Sequence, residues 1–538
     1  MFSSLLLSLG ISAGCLLATR ILIHYFQLES YQFPGYFRTI RRNLPKAVLP
    51  GLCMAVLLAA AVLLFRASGV QGIPGSALIL AAMTAGGFAA GKAFSEKKAK
   101  KALKFTPRIK RLYAVSLIVM AAILFFAALP LSGQSTADPG GKRIIAAFIL
   151  LFPAFLPLWI ALCGLLAWPI EKLISEMYFR DAQRILRSRK DLIRIGITGS
   201  WGKTSVKFIL GTMLEEKYHT LVTPASFNTP MGVTKVIRTM LEPGHRVFVS
   251  EMGARHVGDI REMCRLVHPH YGILTSVGPQ HLDTFRTVER VASTKYELIE
   301  ALPEDGTAFF ADDDGICREL YRKTGKEKVI TGLFPSFDDV WAEGIEVSGQ
   351  GSTFMLCTKT GKFPCRTSLL GELNIRNILL CAGVCLKLGM SEDQIARGIG
   401  KLTPVEHRLQ LMANPGGITV IDDAFNSNIL GAQQAFQVLK HMGGKRILVT
   451  PGMVELGQKE DEMNRTFGSY AADCCDTAVL IGKKRSVAIA RGLRDKGFPE
   501  EKILIASSLK DATEKLKGIA VPGDTILFEN DLPDNYNE

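Results

Sequence analysis

The sequence predicts a multi-pass α-helical membrane region followed by an α/β part, in which a phosphate-loop parallel-sheet domain precedes a Rossmann-like carboxy-terminal domain. Three observations lead to this fold class. Five long apolar runs occupy the first 170 residues. From about residue 190, short apolar runs alternate with helical ones, a pattern typical of parallel α/β sheets. The segment TGSWGKTS lies between a predicted strand and a predicted helix, where a phosphate-binding loop is expected.

The five apolar runs are long enough, or nearly so, to cross about 30 Å of hydrocarbon. They cover roughly 2–23, 47–65, 73–91, 112–131 and 144–168, the third being rich in glycine and alanine. No basic residue precedes the first run and four more runs follow it, which argues against a cleaved signal peptide. We therefore predict five transmembrane helices.

Basic charge is concentrated in this apolar region. Residues 1–190 hold 23 lysines and arginines against 6 acidic residues, so the formal net charge of +14 divides into +17 here and −3 in the rest. A nucleic-acid-binding protein carries its basic patch on the folded domain, so no nucleic-acid partner is predicted. The connections after the first, third and fifth runs are the most basic. The positive-inside bias therefore predicts a plasma-membrane protein with its amino terminus outside and its catalytic part in the cytoplasm, in contact with membrane lipids.

The pattern after residue 190 predicts two α/β domains. Strands are predicted at LIRIGI, RVFVSEMG and YGILTSVG, helices over 204–217 and 288–301, a β-rich insert over 328–370 and a helical pair over 374–400. The strand and helix alternation restarts near Pro404. The predicted domains are a five-helix transmembrane region (1–170), a basic juxtamembrane linker (171–190), a central nucleotide-binding domain (191–403) and a Rossmann-like domain (404–538).

The phosphate-loop segment supplies the first candidate site. Its nucleotide-binding residues are Gly199, Ser200, Gly202, Lys203, Thr204 and Ser205. The glycines let the backbone curl so that amides and the helix N-terminus face phosphate oxygens. Lys203 would reach the β- and γ-phosphates, and the Thr204 hydroxyl would coordinate Mg²⁺. The strict phosphate-loop motif, G-x-x-x-x-G-K-[ST], requires glycine where Ile197 stands. The alternative interpretation is therefore a tight turn with an exposed lysine. The predicted strand and helix that flank the loop favour phosphate binding.

Two further polar residues follow predicted strands. Glu251 ends one apolar run, and His281 comes just beyond another. In a parallel sheet both residues would lie at the carboxyl edge, beside the phosphate loop. A single histidine is more often structural than a ligand, but together with Lys203 these residues predict a site for a metal-bound nucleotide.

Eight motifs occur in the order in which they occur in Mur ligases. They are TGSWGKTSVKFIL, SFNTPMGV, VSEMGARHVGDI, VGPQHLDTF, VASTKYELIEAL, GELNIRN, EHRLQ and DDAFNSN. The chain from about 192 to 530 therefore resembles the Mur ligase family, and most of all the MurF branch, which adds D-alanyl-D-alanine to a muramyl tripeptide. The resemblance ends at the amino-terminal third, where that branch has a uridine-nucleotide-binding domain and this sequence has apolar runs.

The resemblance implies a reaction and a catalytic set. Family members phosphorylate a carboxylate with ATP, and an amine then attacks the acyl phosphate to form an amide. The positions that match the family's catalytic and metal residues are Lys203, Thr204, Asn228, Glu251, His281 and Lys295. By family analogy Lys295 becomes carbamylated and supports a second Mg²⁺, although the sequence pattern by itself predicts a solvated helix charge there.

The resemblance also implies contacts on the nucleotide and amine sides. Asn374 and Asn377 match adenine-side positions, with Leu373 in place of the family's usual histidine. Arg408 and Asp423 match residues that the carboxy-terminal domain brings to ATP; a surface arginine and a strand-end cap are their structural alternatives. Nearer the incoming amine are three further family positions, Asn426, Asn428 and Glu455. The ending FENDLPDNYNE departs from the Lys-Gly-Ser ending of the branch, which leaves the amine unidentified.

The expected function is therefore an ATP-dependent amide ligase that acts on a muramyl-peptide or lipid-linked precursor with an amino acid or dipeptide. Its expected cofactors are ATP and two Mg²⁺. The alternatives are a membrane-bound polyglutamate-synthetase-like ligase, a transporter driven by the phosphate-loop domain, and an inactive scaffold. The apolar runs hold almost no ionisable residues, which argues against a transporter. The eleven cysteines form no C-x-x-C pair, which argues against the zinc-ribbon Mur-like subunit that amidates lipid II.

Overall fold

The computed structural model describes residues 2–69, 72–95, 102–131, 138–225, 227–348, 351–405, 407–412, 416–424, 429–454, 456 and 459–529. The chain forms two compact units, Met1–Glu176 and Met177–Glu538. The division between them falls within a single helix, in the segment predicted as a juxtamembrane linker.

All regular secondary structure described in the first unit is helical. Its helices are α1 (Phe2–Ala18), α2 (Arg20–Leu28), α3 (Phe33–Arg42), α4 (Leu44–Ser68), α5 (Gly72–Ala93), α6 (Pro107–Ala128), α7 (Pro139–Leu151) and α8 (Leu156–Ser188), the last of which continues into the second unit. Helices α1 and α5 pack at close range through glycines. A methyl group added at Gly14 or Gly87 would collide with the facing backbone, so these small residues permit the close approach that apolar helices use in membranes.

Among the described residues, four helical segments are long and apolar enough to cross a membrane, and a bent pair would make a fifth. The four segments are Leu44–Leu64, Gly72–Ala93, Pro107–Leu131 and Pro139–Ser188. The first predicted span is instead two helices, Phe2–Ala18 and Arg20–Leu28, with a 50° bend between them. At the bend, the Thr19 hydroxyl donates to the Leu16 carbonyl at 2.6 Å, a side-chain bond that often bends helices.

The second unit begins with a nine-stranded sheet in the order β2-β3-β1-β4-β5-β6-β7-β8-β9. The strands are β1 (Ile193–Thr198), β2 (Thr220–Val222), β3 (Val247–Glu251), β4 (Tyr271–Leu274), β5 (Thr307–Ala311), β6 (Glu327–Gly332), β7 (Val340–Ser348), β8 (Gly351–Thr358) and β9 (Lys362–Thr367). The pairs from β2 to β7 are parallel, and β8 and β9 extend the sheet as antiparallel strands. The predicted β-rich insert is this antiparallel extension.

Helices cover this sheet. They are α9 (Lys203–Leu214), α10 (Pro230–Met240), α11 (Asp259–Val267), α12 (Leu282–Phe285), α13 (Val288–Glu300), α14 (Ile316–Lys323), α15 (Glu372–Lys387) and α16 (Glu392–Gly400). Ile195 and Ile197 of β1 are fully buried, as expected of a parallel strand with helices on both faces. Strand β1 lies between β3 and β4, so the ends of all three strands meet at one edge.

The second sheet has six strands in the order β10-β11-β15-β12-β13-β14. Its strands are β10 (Gln410–Met412), β11 (Thr419–Asp423), β12 (Arg446–Thr450), β13 (Thr477–Ile481), β14 (Ile503–Ala506) and β15 (Thr525–Glu529), and its helices are α17 (Ile429–Lys440), α18 (Glu460–Ala472), α19 (Lys483–Asp495) and α20 (Leu509–Lys517). Five strands are parallel and β10 is antiparallel at the edge. The sequence alternation predicted the parallel strands but not β10, which has only three residues.

Candidate active site

The segment between β1 and α9 has the backbone of a phosphate-binding loop. Gly199 has a φ of 153° and Gly202 a φ of 80°, a region that residues with a Cβ rarely adopt. A Cβ at Gly199 would also collide with the Thr275 hydroxyl. The two glycines therefore permit both the turn itself and its close contact with the end of β4.

Residues after β4 hold the loop in place. The Trp201 amide donates to Ser276 Oγ at 2.9 Å, and the Ser200 hydroxyl donates to the Gly278 carbonyl at 3.1 Å. The Trp201 ring occupies the space where a Cβ of residue 278 would stand, so only glycine fits there. The loop is thus organised by hydrogen bonds to the segment that follows β4.

Lys203 begins α9, and its ammonium group is turned back over the loop. Its Nζ donates to the carbonyl oxygens of Gly199 at 2.7 Å and Ser200 at 3.1 Å. Burial lowers the pKa of Lys203 to about 8, an effect that the nearby Glu251 carboxylate opposes and the Arg408 guanidinium increases. The ammonium lies where phosphate oxygens would approach the loop amides. A phosphate group would favour the charged form of this lysine.

Glu251 is the centre of a buried polar cluster at the end of β3. It accepts hydrogen bonds from the Thr204 hydroxyl at 3.1 Å and from Asn228 Nδ2 at 3.0 Å. Lys207 Nζ lies 3.1 Å from the same carboxylate, and the two side chains are 0% and 2% exposed. Burial raises the pKa of the Glu251 carboxyl, but Lys207, Lys203 and Asn228 outweigh this effect and hold the pKa below its ordinary value. Glu251 is therefore ionised at neutral pH.

Thr204 and Glu251 together fit a Mg²⁺ ion. One is a hydroxyl oxygen and the other an ionised carboxylate, both are hard oxygen donors, and they lie within hydrogen-bond distance of each other. Within the described residues, no group of three or more histidine, cysteine and acidic side chains is placed to hold a metal. A Mg²⁺ held by one or two protein oxygens takes its other ligands from water and from a nucleotide phosphate, as is usual for this ion.

Lys295 is buried on α13, with 1% of its surface exposed. The expectation from sequence pattern alone, a solvated helix charge, is wrong because α13 packs this face against the sheet. Burial and the neighbouring Lys203 ammonium lower the pKa of Lys295 far below its ordinary value, while Asp259 acts in the opposite direction. An amine in this position gives up its proton more readily than an exposed lysine does.

His281 lies at the amino end of α12, in the left-handed conformation with a φ of 50°. A non-glycine residue in this region of backbone space is uncommon. His281 lies on the segment that follows β4, and earlier residues of this segment hold the phosphate loop. Ser205 lies one residue beyond Thr204 in the first turn of α9 and is half-buried.

The predicted adenine-side residues lie on α15. Asn377 is buried, and its Oδ1 would stand 3.3 Å from a Cβ at Gly202, so the amide abuts the loop. Asn374 donates through Nδ2 to the Leu370 carbonyl at 2.8 Å, one residue before the N-cap of α15. In this arrangement Asn377 lies against the loop, whereas the amide of Asn374 bonds to the backbone that precedes its own helix.

The carboxy-terminal sheet brings two further predicted residues into the same unit. The charge of Arg408 acts on Lys203, and the charges of Asp423 and Glu251 act on Arg408. Asp423 ends β11 and accepts the Leu409 amide at 3.0 Å. Burial raises the pKa of Asp423, against the effect of Arg408. Asn426, Asn428 and Glu455 lie outside the described residues.

Lys207 is a site residue that the sequence reasoning missed. It stands four residues after Lys203, so both lysines share one face of α9. That spacing was visible in the sequence, but its meaning depends on Glu251, which lies 44 residues further along. The ion pair with Lys207 orients the carboxylate and leaves its oxygens available to Thr204 and Asn228.

The assembled site can bind a nucleotide triphosphate and neutralise charge as a phosphoryl group moves. Transfer of a phosphoryl group to a carboxylate brings like charges together, and the positive charge of Lys203 at the loop reduces this repulsion. Bound Mg²⁺ supplies further charge neutralisation. The chain's own groups hold the nucleotide phosphates at the loop and keep Glu251 ionised and oriented.

Comparison with known families identifies this arrangement. Residues 197–385 match the family model of the Mur ligase middle domain, and residues 407–529 match that of the Mur ligase glutamate ligase domain. The chain is 30% identical over 353 residues to the UDP-N-acetylmuramoyl-tripeptide--D-alanyl-D-alanine ligase of Escherichia coli strain K12; the alignment covers 65% of this chain and 78% of that relative.

Solved structures show the same fold. MurF from Acinetobacter baumannii aligns with a TM-score of 0.61 at 24% identity, over 67% of this chain and 78% of that one. A MurF ligase from Thermotoga maritima, solved in complex with ADP, aligns with a TM-score of 0.59 at 24% identity, over 66% of this chain and 80% of that one. The fold and the site thus define an ATP-dependent, ADP-forming ligase. The chain belongs to the Mur ligase family and is MurF-like, which favours the predicted ligase over the transporter alternative.

Proposed function

We propose that this protein joins an amine to the carboxylate of a muramyl-peptide cell-wall precursor through an acyl phosphate. The observation that carries the proposal is the cluster of Lys203, Thr204 and Glu251 at the carboxyl edge of the central sheet, with Lys207 and Asn228 supporting it. The Escherichia coli relative is named for a muramoyl-tripeptide donor and a D-alanyl-D-alanine acceptor. A dipeptide amine is therefore the first acceptor to test.

The donor in this proposal is lipid-linked. The first family match begins at residue 197 and the second at residue 407, so residues 1–190 lie outside both matched ranges. In that part of the chain are four helical segments, or five with the bent pair, that are long and apolar enough to cross a bilayer. A ligase held at the membrane meets a membrane-bound donor at a high effective concentration. The carboxylate would then be presented by a muramyl peptide that stays in the bilayer.

The topology in this proposal places the catalytic unit in the cytoplasm. The basic connections after the first, third and fifth apolar runs carry most of the positive charge, and such connections stay on the cytoplasmic side. The amino terminus is then outside, and ATP is available on the side where the phosphate loop lies.

Lys295 carries a carbamate in the working enzyme under this proposal. The neutral ε-amine attacks CO₂, a nitrogen–carbon bond forms, and one proton is released to water. Burial of Lys295 and the adjacent Lys203 charge favour the neutral amine that this step needs. The product is an anion beside a cation, so Lys203 stabilises it, and its oxygens are suited to a second Mg²⁺.

The test of the proposed function is product formation by the full chain in detergent. ADP release and the mass of the product are measured with undecaprenyl-linked and UDP-linked muramyl peptides and a panel of amines that includes D-alanyl-D-alanine. An amide product whose formation depends on both ATP and the muramyl peptide supports the proposal. ATP hydrolysis without an amide product from any donor contradicts it.

A further inference from the structure

A basic pocket lies at the edge of the central sheet opposite to the active site. It has a volume of about 330 Å³ and is lined by Leu186, Arg187, Arg189, Lys190, Arg194 and His268. Arg194 is the second residue of β1, five residues before Gly199 of the phosphate loop, which corresponds to about 16 Å along a strand. The pocket is therefore separate from the ATP site.

Most of the positive charge in the pocket is uncompensated. The donors of Arg189 are already used within the protein, because it pairs with Asp191 at 3.0 Å and donates to the Glu242 carbonyl. Within the described part of the chain, no carboxylate lies within ion-pair distance of Arg187, Lys190 or Arg194. Burial lowers the pKa of Arg194, and among the residues that the structure describes no acidic group opposes the effect.

Several hydrogen-bond donors of Arg194 have no protein acceptor among the described residues. A guanidinium has five N–H donors, and in the described residues this one makes a single long bond, 3.4 Å from Nη1 to the Val267 carbonyl. Its Nε is shielded from solvent and has no partner there. A shielded donor without a protein partner is costly, and an acceptor atom that entered the pocket could satisfy it.

Helix dipoles account for only part of this charge. Helices α8 and α11 end at Ser188 and Val267, beside the pocket, and a helix C-terminus carries about half a negative elementary charge. The two ends together offset about one of the three cations of Arg187, Lys190 and Arg194. The pocket therefore keeps a net positive charge that would attract an anion.

The side chains that line the pocket are suited to binding a phosphate group. Guanidinium groups bind phosphate oxygens through paired N–H donors, and Lys190 adds a mobile ammonium at the rim. His268 follows α11 in the left-handed conformation, which directs this residue to the same pocket. We propose that the pocket bounded by Arg187, Lys190, Arg194 and His268 binds a phosphate group, carried by an anionic phospholipid headgroup or by a small soluble phosphate.

The test measures protection of Lys190 from acylation, quantified by mass spectrometry of the full chain. One arm compares inorganic phosphate with chloride at equal ionic strength in a neutral detergent. The other compares nanodiscs of phosphatidylglycerol with nanodiscs of phosphatidylcholine. At a free phosphate concentration of about twice the dissociation constant, the labelling rate falls about threefold. Exposed Lys510, on α20, reports any general effect on reactivity.

Three variants make the result specific. Arg194→Gln and Arg187→Gln remove pocket donors, and Arg187 is exposed, so its loss does not disturb the sheet. Arg184→Gln changes the net charge equally on the same helix, but Arg184 pairs with Asp181 and does not line the pocket. We expect protection in the wild type and in Arg184→Gln, and its loss in Arg187→Gln.

Each result either supports or overturns the proposed phosphate site. Protection by inorganic phosphate identifies a soluble anion, protection in phosphatidylglycerol alone identifies a headgroup, and either supports the site. No protection in both arms overturns the proposal. Protection that survives in both Arg187→Gln and Arg194→Gln, or that is lost equally in Arg184→Gln, would mean general charge attraction and would also overturn it. The readout does not depend on ligase activity, so it stands apart from the proposed function.

Discussion

The Thr204 hydroxyl donates to both carboxylate oxygens of Glu251, at 3.2 and 3.1 Å, although 47 residues separate them in the chain. The contact exists because β1 and β3 are adjacent parallel strands, so the residue after the phosphate-loop lysine meets the last residue of β3. Two hard oxygen donors at this point match the chemistry of Mg²⁺. The roles assigned to Lys203 and Lys207 depend on this meeting of strand ends.

Replacement of the loop lysine is expected to abolish turnover. Lys203→Ala removes the ammonium that would neutralise the transferred phosphoryl group, and kcat/KM is expected to fall by about 10² to 10³. ADP formation by the full chain measures this loss, and Lys510→Ala, on the surface of α20, is the matched control. A Lys203→Ala protein that keeps more than about a tenth of the wild-type rate would contradict the role assigned to this charge.

Replacement of Lys207 is expected to destabilise the fold. Lys207→Met leaves the Glu251 carboxylate buried without its main partner, a change that costs about 3 to 5 kcal/mol in comparable pairs. Urea-induced unfolding of the solubilised full chain measures the change. The double variant Lys207→Met with Glu251→Gln removes both charges and should recover part of the loss. A cost below about 1 kcal/mol for the single variant, typical of exposed pairs, would show that the pair is not buried in solution.

Replacement of Lys295 is expected to be rescued by small carboxylic acids. Lys295→Ala removes the proposed carbamate, and acetate or formate can supply an oxygen ligand in the space vacated by the side chain. Ligation rates with increasing acetate measure the rescue. Lys203→Ala is the control, since a carboxylate cannot replace its positive charge. Full activity of Lys295→Ala at ordinary bicarbonate would show that no carbamate is needed.

The edge of the sheet that holds the candidate site could be predicted from sequence because several of its residues follow strands. Glu251 and His281 follow apolar runs, and the ends of parallel strands meet at one edge whatever the details of packing. Lys295 and Lys207 could not be placed in this way. Both stand on helices, and helix periodicity alone does not separate a buried lysine with a functional partner from a solvated one.

The basic pocket and the first helix pair were also beyond sequence reasoning. Arg194 lies inside an apolar strand and gives no signal of its own until His268 and the end of α8 are brought beside it. The 50° bend after Ala18 coincides with the side-chain bond of Thr19, whereas the hydropathy of Phe2–Leu28 is nearly continuous and gives no sign of a break. Both the basic pocket and the bend depend on residues that come together only in the folded chain.

The topology is expected to follow the charge pattern. A cysteine introduced at Ser135, between the fourth and fifth apolar runs, should react with a membrane-impermeant maleimide in intact cells, and a cysteine at Ser95 should not. Ser135 lies outside the described residues, so this expectation depends on sequence charge alone. Permeabilised cells give the control, since both positions should then react. Labelling at Ser95 and protection at Ser135 in intact cells would place the ATP site outside the cell.

The most direct measurement of the central claim compares kcat/KM for two donors that carry the same muramyl peptide, one linked to undecaprenyl and the other to UDP, with the full chain in nanodiscs and a saturating amine. The account predicts ATP-dependent amide formation with a higher kcat/KM for the undecaprenyl-linked donor. A higher kcat/KM for the UDP-linked donor would contradict it, because the apolar helices would then contribute only an anchor to a ligase that uses the soluble precursor.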